Sequence, residues 1–194
     1  MTVVSKPDGR VARREGTREL IMTAATDLFA ARGVTSTSID DIAEAAGIAK
    51  GSIYYNFESK AGLVEAILAR SSELLAAALA KAGDGRQGRG LQAAVVIELL
   101  ELLRAHPGGA RMLVTELFRT ERSWREAIQN WRSLALAPLI ADLQAQGVPA
   151  QRAQLRAAAI VGATLTAGLE WLVFDPDLDA VIVQQSVLES LGLA

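Results

Sequence analysis

Apolar residues recur every three or four positions along most of the chain, which is the spacing of amphipathic helices. The first stripe predicts a helix from Thr17 to Arg32, ended by Gly33 in a left-handed conformation; its apolar positions are Leu20, Ile21, Ala24, Ala25, Leu28 and Phe29. Further stripes predict helices at about 39–46, 49–55, 59–81, 91–105, 109–119, 123–146, 149–174 and 177–191. No strand-like alternation extends beyond a few residues, so the pattern predicts an all-α fold of about nine helices.

The two short helices, at 39–46 and 49–55, lie on either side of Gly47. Thr37 or Ser38 can cap the first, with Asp40 or Asp41 three residues later completing an aspartate version of the capping box. Two helices joined by a short turn that contains glycine form a helix-turn-helix. The outer face of the second helix carries donors and flat rings suited to phosphates and base edges, and its residues are Lys50, Gly51, Ser52, Tyr54, Tyr55 and Asn56.

The stretch IDDIAEAAGIAKGSIYYNFESKAGL resembles the DNA-binding signature of TetR-family transcriptional repressors, and the resemblance covers about residues 17–65. Ala49 departs from it, because members usually have Ser or Thr there, and a helix cap and a phosphate hydrogen bond are then missing. Asn56 replaces the common His, which keeps a donor and removes any charge. The resemblance puts a phosphate contact at Lys60, and we expect the other DNA contacts from Thr37, Ser38, Lys50, Gly51, Ser52, Tyr54, Tyr55 and Asn56.

Within this set the expected roles divide by chemistry. Phosphates are expected mainly at Thr37, Lys50, Tyr55 and Asn56, whereas Gly51, Ser52 and Tyr54 are better placed to meet bases, since glycine permits close backbone approach. Asp40 has two interpretations, as an acceptor from a cytosine amine or, more simply, as part of the cap of the first short helix.

Charge is unevenly distributed, although the net charge of the chain is only −2. Residues 1–18 hold five basic and two acidic side chains, a net charge of +3. Pro7, Gly9 and Gly16 argue against fixed structure before Thr17. The segment is interpreted either as an arm that lies along DNA phosphates or as a disordered leader kept soluble by its charge. The predicted organisation is an arm at 1–16, a helix-turn-helix domain at 17–58 and a helical ligand-binding and dimerisation domain at 59–194.

The second domain begins with a long helix that continues from the DNA-binding domain, and the loop Gly83–Gly90 follows it. Beyond that loop lies a set of aromatic and polar residues, unusual in a chain with 5% aromatic residues. By the resemblance, this set lines a cavity for a small-molecule inducer; its members are His106, Met112, Glu116, Phe118, Trp124, Trp131 and Trp171. Such cavities are mostly apolar with a few placed polar groups. The alternative is that these side chains simply fill the core between long helices.

The last two predicted helices, at about 149–174 and 177–191, differ from the others in composition. The first is rich in small residues that allow close helix approach, and the second carries more apolar surface than one partner helix readily covers. By the resemblance, these two helices pair with their copies in a homodimer. A dimer doubles the recognition helix, and the two copies then read half-sites about 34–36 Å apart, or a multiple, in a palindromic operator. The alternative is a monomer whose last helices cover its own core.

Composition excludes several other classes of protein. The chain has no cysteine and a single His, so disulfides, thiol catalysis, zinc–thiolate sites and His-pair metal sites are excluded. No Gly-x-Ser-x-Gly motif serves His106, and Glu98 and Glu101 are interpreted as the solvated face of a helix, so we predict neither an enzyme nor a cofactor. The longest weakly polar run, 157–169, is short of the roughly 20 residues that span a bilayer. No signal peptide is recognised, and a cytoplasmic protein is expected.

Two functional hypotheses remain. The first is a DNA-binding repressor whose ligand favours a form with its two DNA-binding domains wrongly spaced, the helix from Ser59 to about Lys81 acting as transmitter. The second is a helical ligand- or partner-binding module whose helix-turn-helix does not read DNA. Salt distinguishes them, because DNA affinity falls linearly with salt on a log–log plot and apolar ligand binding does not.

Overall fold

The computed structural model describes residues 9–117 and 125–194, with side chains described for 14–112 and 125–194. Within these ranges the chain forms nine helices and no strand, which confirms the all-α prediction. The helices are α1 (Gly9–Arg32), α2 (Ile39–Ala46), α3 (Lys50–Phe57), α4 (Lys60–Gly83), α5 (Gly88–Ala105), α6 (Pro107–Leu117), α7 (Arg125–Ala145), α8 (Ala150–Phe174) and α9 (Ala180–Ser190).

The chain divides into two compact units, Met1–Ile67 and Leu68–Ala194, which we call the head unit and the C-terminal unit. The division falls inside α4, an uninterrupted helix of 24 residues. The predicted boundary, between residues 58 and 59, lies just before the start of this helix instead.

The first helix begins earlier than the sequence predicts, at Gly9 rather than at Thr17. The expectation of a disordered arm is therefore wrong for residues 9–16, and residues 1–8 lie outside the described residues. Arg, Ala and Glu are strong helix formers and dominate this stretch, and a single interior glycine such as Gly16 costs only about 1 kcal/mol. That cost does not outweigh the propensity of its neighbours.

The head unit has one apolar core to which α1, α2, α3 and the start of α4 all contribute. Its most buried side chains are Ile21, Ala25, Phe29, Val34, Ile42, Ile53, Leu63 and Val64. Phe57 of α3 is buried with them. Leu20, which the predicted stripe of α1 includes, is instead 47% exposed, and Met22 is buried.

In the C-terminal unit α8 is the central helix and packs against α5, α7 and α9. At the crossing with α5, a Cβ added to Gly168 would lie 2.4 Å from Leu103 Cδ1, so a larger residue there would require the Leu103 side chain to move. Ala153 and Ala157 are also fully buried. Part of the small-residue face of α8 therefore packs inside one chain, while another part, including Gly162, is exposed.

Among the described helices α8 is also the one long and apolar enough to cross a membrane, judged by length and composition alone. The weakly polar run at 157–169 covers only 13 residues of this helix, so its length alone did not indicate a possible membrane span. A core helix in a soluble protein has the same composition, and α8 buries side chains such as Val161, Thr164 and Leu165 among its neighbours. The observation is therefore weak evidence for a membrane span.

The link between α4 and α5 is shorter than the predicted loop Gly83–Gly90, because α5 already begins at Gly88. Gln87, its N-cap, makes no side-chain capping bond. Asp142 of α7 takes that role, since its Oδ1 accepts a hydrogen bond from the Gly88 N–H at 2.6 Å. A carboxylate at a helix N-terminus is favoured by the free N–H groups and the helix dipole. A residue more than fifty positions away thus lengthens α5.

Glu98 and Glu101 join helices instead of forming a solvated face. Glu98 is largely buried and pairs with Lys81 of α4, Nζ to Oε1 at 2.7 Å. Glu101 accepts a hydrogen bond from Gln184 of α9 at 2.7 Å. The expectation that both carboxylates are simply solvated is wrong, because α4 and α9 cover that side of α5.

Candidate nucleic-acid interface

Ser38 is the N-cap of α2 and completes a capping box with Asp41, one of the predicted pairs. The Asp41 N–H donates to Ser38 Oγ at 3.1 Å, and the Asp41 carboxylate accepts from the Ser38 hydroxyl at 2.7 Å and from its N–H at 2.8 Å. These bonds hold the pKa of Asp41 below its ordinary value, the hydroxyl contributing most. At the other end Gly47, with φ 64°, ends the helix as predicted.

The second helix of the pair, α3, buries Ile53 and Phe57 and turns its polar side outward. Its N-cap is Ala49, which makes no side-chain hydrogen bond. This confirms the expectation that α3 lacks the cap that Ser or Thr would provide. The exposed residues of α3 are Lys50, Gly51, Tyr54 and Tyr55, and Ser52 and Asn56 are partly exposed. Tyr55 is the most exposed large side chain of α3, at 73%.

Gly51 lies in the first turn of α3, and a Cβ added there would meet no heavy atom within 4 Å. Packing within the chain therefore does not require glycine at this position. A glycine in a helix still costs roughly 0.5–1 kcal/mol relative to alanine. The residue leaves a stretch of backbone accessible to a molecule outside the chain.

Lys50 forms an ion pair with Asp40 across the turn between α2 and α3, Nζ to Oδ2 at 2.8 Å. The hydrogen bond to this carboxylate raises the pKa of Lys50 above its ordinary value. Both side chains are well exposed, so the pair contributes little to stability. Asp40 therefore does not cap α2, contrary to the simpler of its two interpretations.

Two of the residues predicted to contact DNA, Thr37 and Ser38, use their hydroxyl groups in hydrogen bonds within the α1–α2 connection. Thr37 is 1% exposed, and its hydroxyl donates to the Gly33 carbonyl at 2.9 Å. The hydroxyl of Ser38 donates its only hydrogen to Asp41. Neither side chain has a donor left for a phosphate, so the geometry does not support these two assignments.

Lys60 is likewise occupied inside the head unit. Its ammonium donates to the carbonyls of Val34 and Thr37, each at 3.0 Å. The three N–H groups of a lysine can make three hydrogen bonds, and two are used here. Lys60 thus ties the start of α4 to the α1–α2 connection, and one N–H remains for the phosphate contact that the resemblance implies.

Two arginines of α1, Arg14 and Arg18, contact the end of α3, although their positions in the sequence indicated only a basic segment. The Arg18 guanidinium lies over the Phe57 ring, 4.3 Å from its centroid, and donates to the Asn56 carbonyl at 2.9 Å. Arg14 lies 5.6 Å from the centroid of the Tyr55 ring. Arg14 and Arg18 are four residues apart, which places them on one face of a helix. The spacing of these two arginines could have indicated a shared role, but only if the helix is known to begin before Arg14, as α1 does.

The amide of Asn56 is also turned inward. Its Nδ2 donates to the Ser52 carbonyl at 2.8 Å, and its Oδ1 is buried without a partner among the described residues. One N–H of the amide is thus used within α3, which weakens the expected phosphate contact.

The corner between α3 and α4 consists of only Glu58 and Ser59, and it is strained. Glu58 has φ 60° and ψ −40°, a backbone conformation rarely adopted by residues other than glycine. The Ser59 N–H bonds the Phe57 carbonyl two residues back, which is the pattern of a γ-turn. A Cβ added to Gly62 would lie 2.4 Å from that carbonyl oxygen, so glycine is required where α4 passes this corner.

The predicted ligand residues are distributed over several elements of the C-terminal unit. Met112 on α6, Trp131 on α7 and Trp171 on α8 are buried. His106 is exposed at the end of α5, which does not fit a cavity lining. The side chain of Glu116, and the residues Phe118 and Trp124, lie outside what the structure describes. The described residues also contain no cluster of three or more His, Cys, Asp or Glu side chains that could hold a metal ion.

Comparison with known proteins agrees with the geometry of the head unit. Residues 21–67 match the family described as bacterial regulatory proteins, tetR family. Over 62 residues the chain is 42% identical to the HTH-type transcriptional repressor KstR2 of Rhodococcus jostii, covering 32% of this chain and 30% of that protein. Over 52 residues it is 50% identical to the HTH-type transcriptional regulator TtgR of Pseudomonas putida, covering 27% and 25%. The chain thus spans less than a third of the length of these relatives.

Similarity in three dimensions extends over nearly the whole chain. A TetR-like transcriptional regulator from Rhodococcus sp. RHA1 superposes with a TM-score of 0.76 at 26% identity, covering 96% of both chains. The regulator FadR from Bacillus subtilis, solved in complex with stearoyl-CoA, has a TM-score of 0.68 at 22% identity, covering 89% of this chain and 96% of that one. Both are TetR-like all-helical folds. The head unit thus matches the tetR family of bacterial regulatory proteins, and the chain as a whole has a TetR-like all-helical fold.

Proposed function

We propose that the chain is a transcriptional repressor that reads a palindromic operator with α3 and releases it when a small, largely apolar or aromatic ligand binds. The supporting observation is the outer face of α3, where Gly51, Tyr54 and Tyr55 are exposed and no packing within the chain requires the glycine. A major groove admits a helix of this kind, and glycine allows the helix backbone close to the base edges. Such a protein acts in the cytoplasm and does not need a membrane partner.

Within this interface, base contacts are assigned to Gly51, Ser52 and Tyr54. Phosphate contacts are assigned to Lys50 and Tyr55, with a smaller part for Asn56. Lys50 is held by Asp40 at the start of α3, so DNA must compete with that carboxylate for the ammonium. Because the pair is exposed and costs little to break, a phosphate can replace Asp40.

A homodimer through the last two helices is supported by the exposed apolar surface. The large exposed apolar side chains of the described C-terminal unit all lie on α8, α9 or the link between them, namely Leu155, Val173, Phe174, Leu178, Val181 and Ile182. Exposed apolar side chains concentrated on two helices indicate an interaction surface in a soluble protein. We therefore expect a dimer in sedimentation experiments, with the two copies of α3 spaced for successive half-sites.

Release by a ligand requires that the ligand bind better to a form that binds DNA less well. By linkage, DNA then weakens ligand binding by the same factor, typically about 5–150-fold. The ligand class is proposed from the similarity to FadR, whose structure contains stearoyl-CoA. A long-chain acyl-CoA is accordingly the first ligand to test, and its acyl chain is the apolar part that the C-terminal unit would enclose.

The test of DNA binding is an anisotropy titration of a labelled duplex over a range of salt concentrations. The logarithm of the affinity is expected to fall linearly with the logarithm of the salt concentration. Lys50→Ala should reduce the slope by about 1, since one phosphate contact is lost. Lys81→Ala, which removes a lysine of the C-terminal unit, should leave the slope unchanged.

Duplex binding that does not weaken with salt would reject the proposal and favour the helical binding module. An equal loss of slope in both variants would contradict the assignment of Lys50 to a phosphate.

A further inference from the structure

Two tryptophans are buried to the same degree in the C-terminal unit but differ in their hydrogen bonds. Trp131 is 4% exposed and Trp171 is 5% exposed. The Trp171 Nε1 donates to the Leu178 carbonyl at 3.0 Å, at the link between α8 and α9. No atom of the described residues accepts the hydrogen of Trp131 Nε1. A buried donor without an acceptor loses its hydration without compensation, so such groups are rare in native proteins.

The other buried polar side chains of this unit do have partners. Thr164 donates to the Ile160 carbonyl at 2.8 Å, and Gln92 donates to the Asp142 carboxylate at 3.3 Å. Among the described residues of the C-terminal unit, Trp131 is the exception. The unit therefore satisfies its buried polar groups in general, and the single unsatisfied donor needs its own explanation.

The surroundings of Trp131 along its own helix are apolar. It shares the buried side of α7 with Ala135, Leu136, Leu139 and Leu143. None of these side chains carries a hydrogen-bond acceptor. An indole N–H is a neutral donor with no acceptor function, so the group that satisfies it must be an acceptor.

We propose that Trp131 Nε1 is the polar anchor of the ligand site and donates to a ligand oxygen that lies among the apolar side chains of α7. The oxygen belongs to a carbonyl, as in a thioester or an ester, or to a carboxylate. The inference rests on the proposed function, because it assumes a ligand in the C-terminal unit. It adds the chemical requirement that the ligand carry an acceptor, and it assigns the two buried tryptophans different roles, Trp171 being structural.

This arrangement gives the site selectivity. A ligand with an acceptor gains a hydrogen bond and removes the cost of the unsatisfied donor. A ligand of the same shape without an acceptor leaves the donor unsatisfied and binds more weakly. The difference for one neutral hydrogen bond corresponds to about a 3- to 10-fold change in affinity.

The first part of the test concerns the protein without ligand. Benzothienylalanine keeps the two fused rings of tryptophan and replaces the N–H by sulfur, and it is introduced at position 131 or, as the matched control, at position 171. The variant at 131 is expected to melt at the wild-type temperature or above, because only an unsatisfied donor is lost. The control should melt about 2–4 °C lower, since it loses a satisfied hydrogen bond. Trp131→Phe and Trp171→Phe provide a second matched pair, in which the variant at 171 should again melt lower.

The second part measures binding of stearoyl-CoA and of S-octadecyl-CoA, whose thioether lacks the carbonyl oxygen. Benzothienylalanine at 131 should weaken stearoyl-CoA binding by about 3- to 10-fold and leave S-octadecyl-CoA binding unchanged. Equal effects on both probes would overturn the inference.

The outcomes also separate this inference from the proposed function. If stearoyl-CoA releases DNA from the wild type and from the variant at 131 with equal potency, the anchor is refuted and the ligand-released repressor stands. If stearoyl-CoA does not bind the wild type, the acyl-CoA proposal fails, and the melting comparison decides about Trp131. A variant at 131 that melts as low as the control shows that the N–H is satisfied without ligand, by a buried water or otherwise, and refutes the anchor.

Discussion

Gly51→Ala should make the protein more stable and a weaker DNA binder at the same time. Gly51 lies in the first turn of α3, on the face assigned to base edges. The substitution adds a single methyl group and no charge. A change in DNA affinity would therefore report steric access to the α3 backbone.

The magnitudes follow from the structure. The added Cβ meets no heavy atom within 4 Å, so no steric cost is expected in the free protein. The gain from replacing glycine in a helix is roughly 0.5–1 kcal/mol, and the lower end applies in the first turn. Against DNA, a methyl group forced into a close contact costs about 1–3 kcal/mol, a loss of about 5- to 150-fold in affinity.

Urea unfolding measures the first quantity, and anisotropy titration with an operator duplex measures the second. Gly90→Ala is the matched control, because Gly90 lies in the first turn of α5 and its added Cβ also meets nothing within 4 Å. The control should gain similar stability and keep wild-type DNA affinity. A Gly51→Ala protein that binds the operator as tightly as the wild type would refute the close approach of α3 to DNA.

Three further substitutions test the head unit. Lys60→Ala should lower the free energy of unfolding, measured in urea, by about 1–3 kcal/mol, since a charged donor to two carbonyls is lost. The salt dependence of DNA binding should keep its wild-type slope. A slope smaller by about 1 would instead show that Lys60 contacts a phosphate. Glu58→Gly should raise the free energy of unfolding by about 1 kcal/mol, because strain of about 1–3 kcal/mol is relieved at the cost of glycine's greater entropy in the unfolded chain; lower stability in urea would contradict this. Asp41→Asn should be less stable than the wild type at pH 7. Because folding lowers the pKa of Asp41 below its ordinary value of 3.8, the ionised carboxylate stabilises the fold at pH values above 3.8. This contribution is lost as the pH falls through the lowered pKa of the folded protein. A difference in stability between Asp41→Asn and the wild type that does not change with pH would show that the carboxylate charge plays no part.

The helices were predictable because each has an apolar stripe and clear stop signals. Gly33 and Gly47 end α1 and α2 with φ of 81° and 64°, as their positions in the sequence indicate. The outer face of α3 also follows from spacing, because Ile53 and Phe57 are four residues apart and fix which side is buried. Local rules sufficed for both.

The contacts that the sequence did not reveal join distant parts of the chain. Lys60 bonds carbonyls 23 and 26 residues away, and Asp142 caps α5 from 54 residues away. No local pattern indicates such partners, so Gly88 was expected in a loop and the bonds of Lys60 inside the head unit were not foreseen. The unsatisfied indole of Trp131 could not be predicted either, since it depends on every side chain around it.

The central claim is that α3 reads a DNA sequence, and selection of bound fragments from the source genome tests it most directly. The purified protein is incubated with sheared genomic DNA, and the retained fragments are sequenced and compared with the input. Two copies of α3 in a dimer predict an enriched inverted repeat, with half-sites one helical turn or a multiple apart. Retained DNA with no enriched sequence over the input, even at low salt, would contradict the claim.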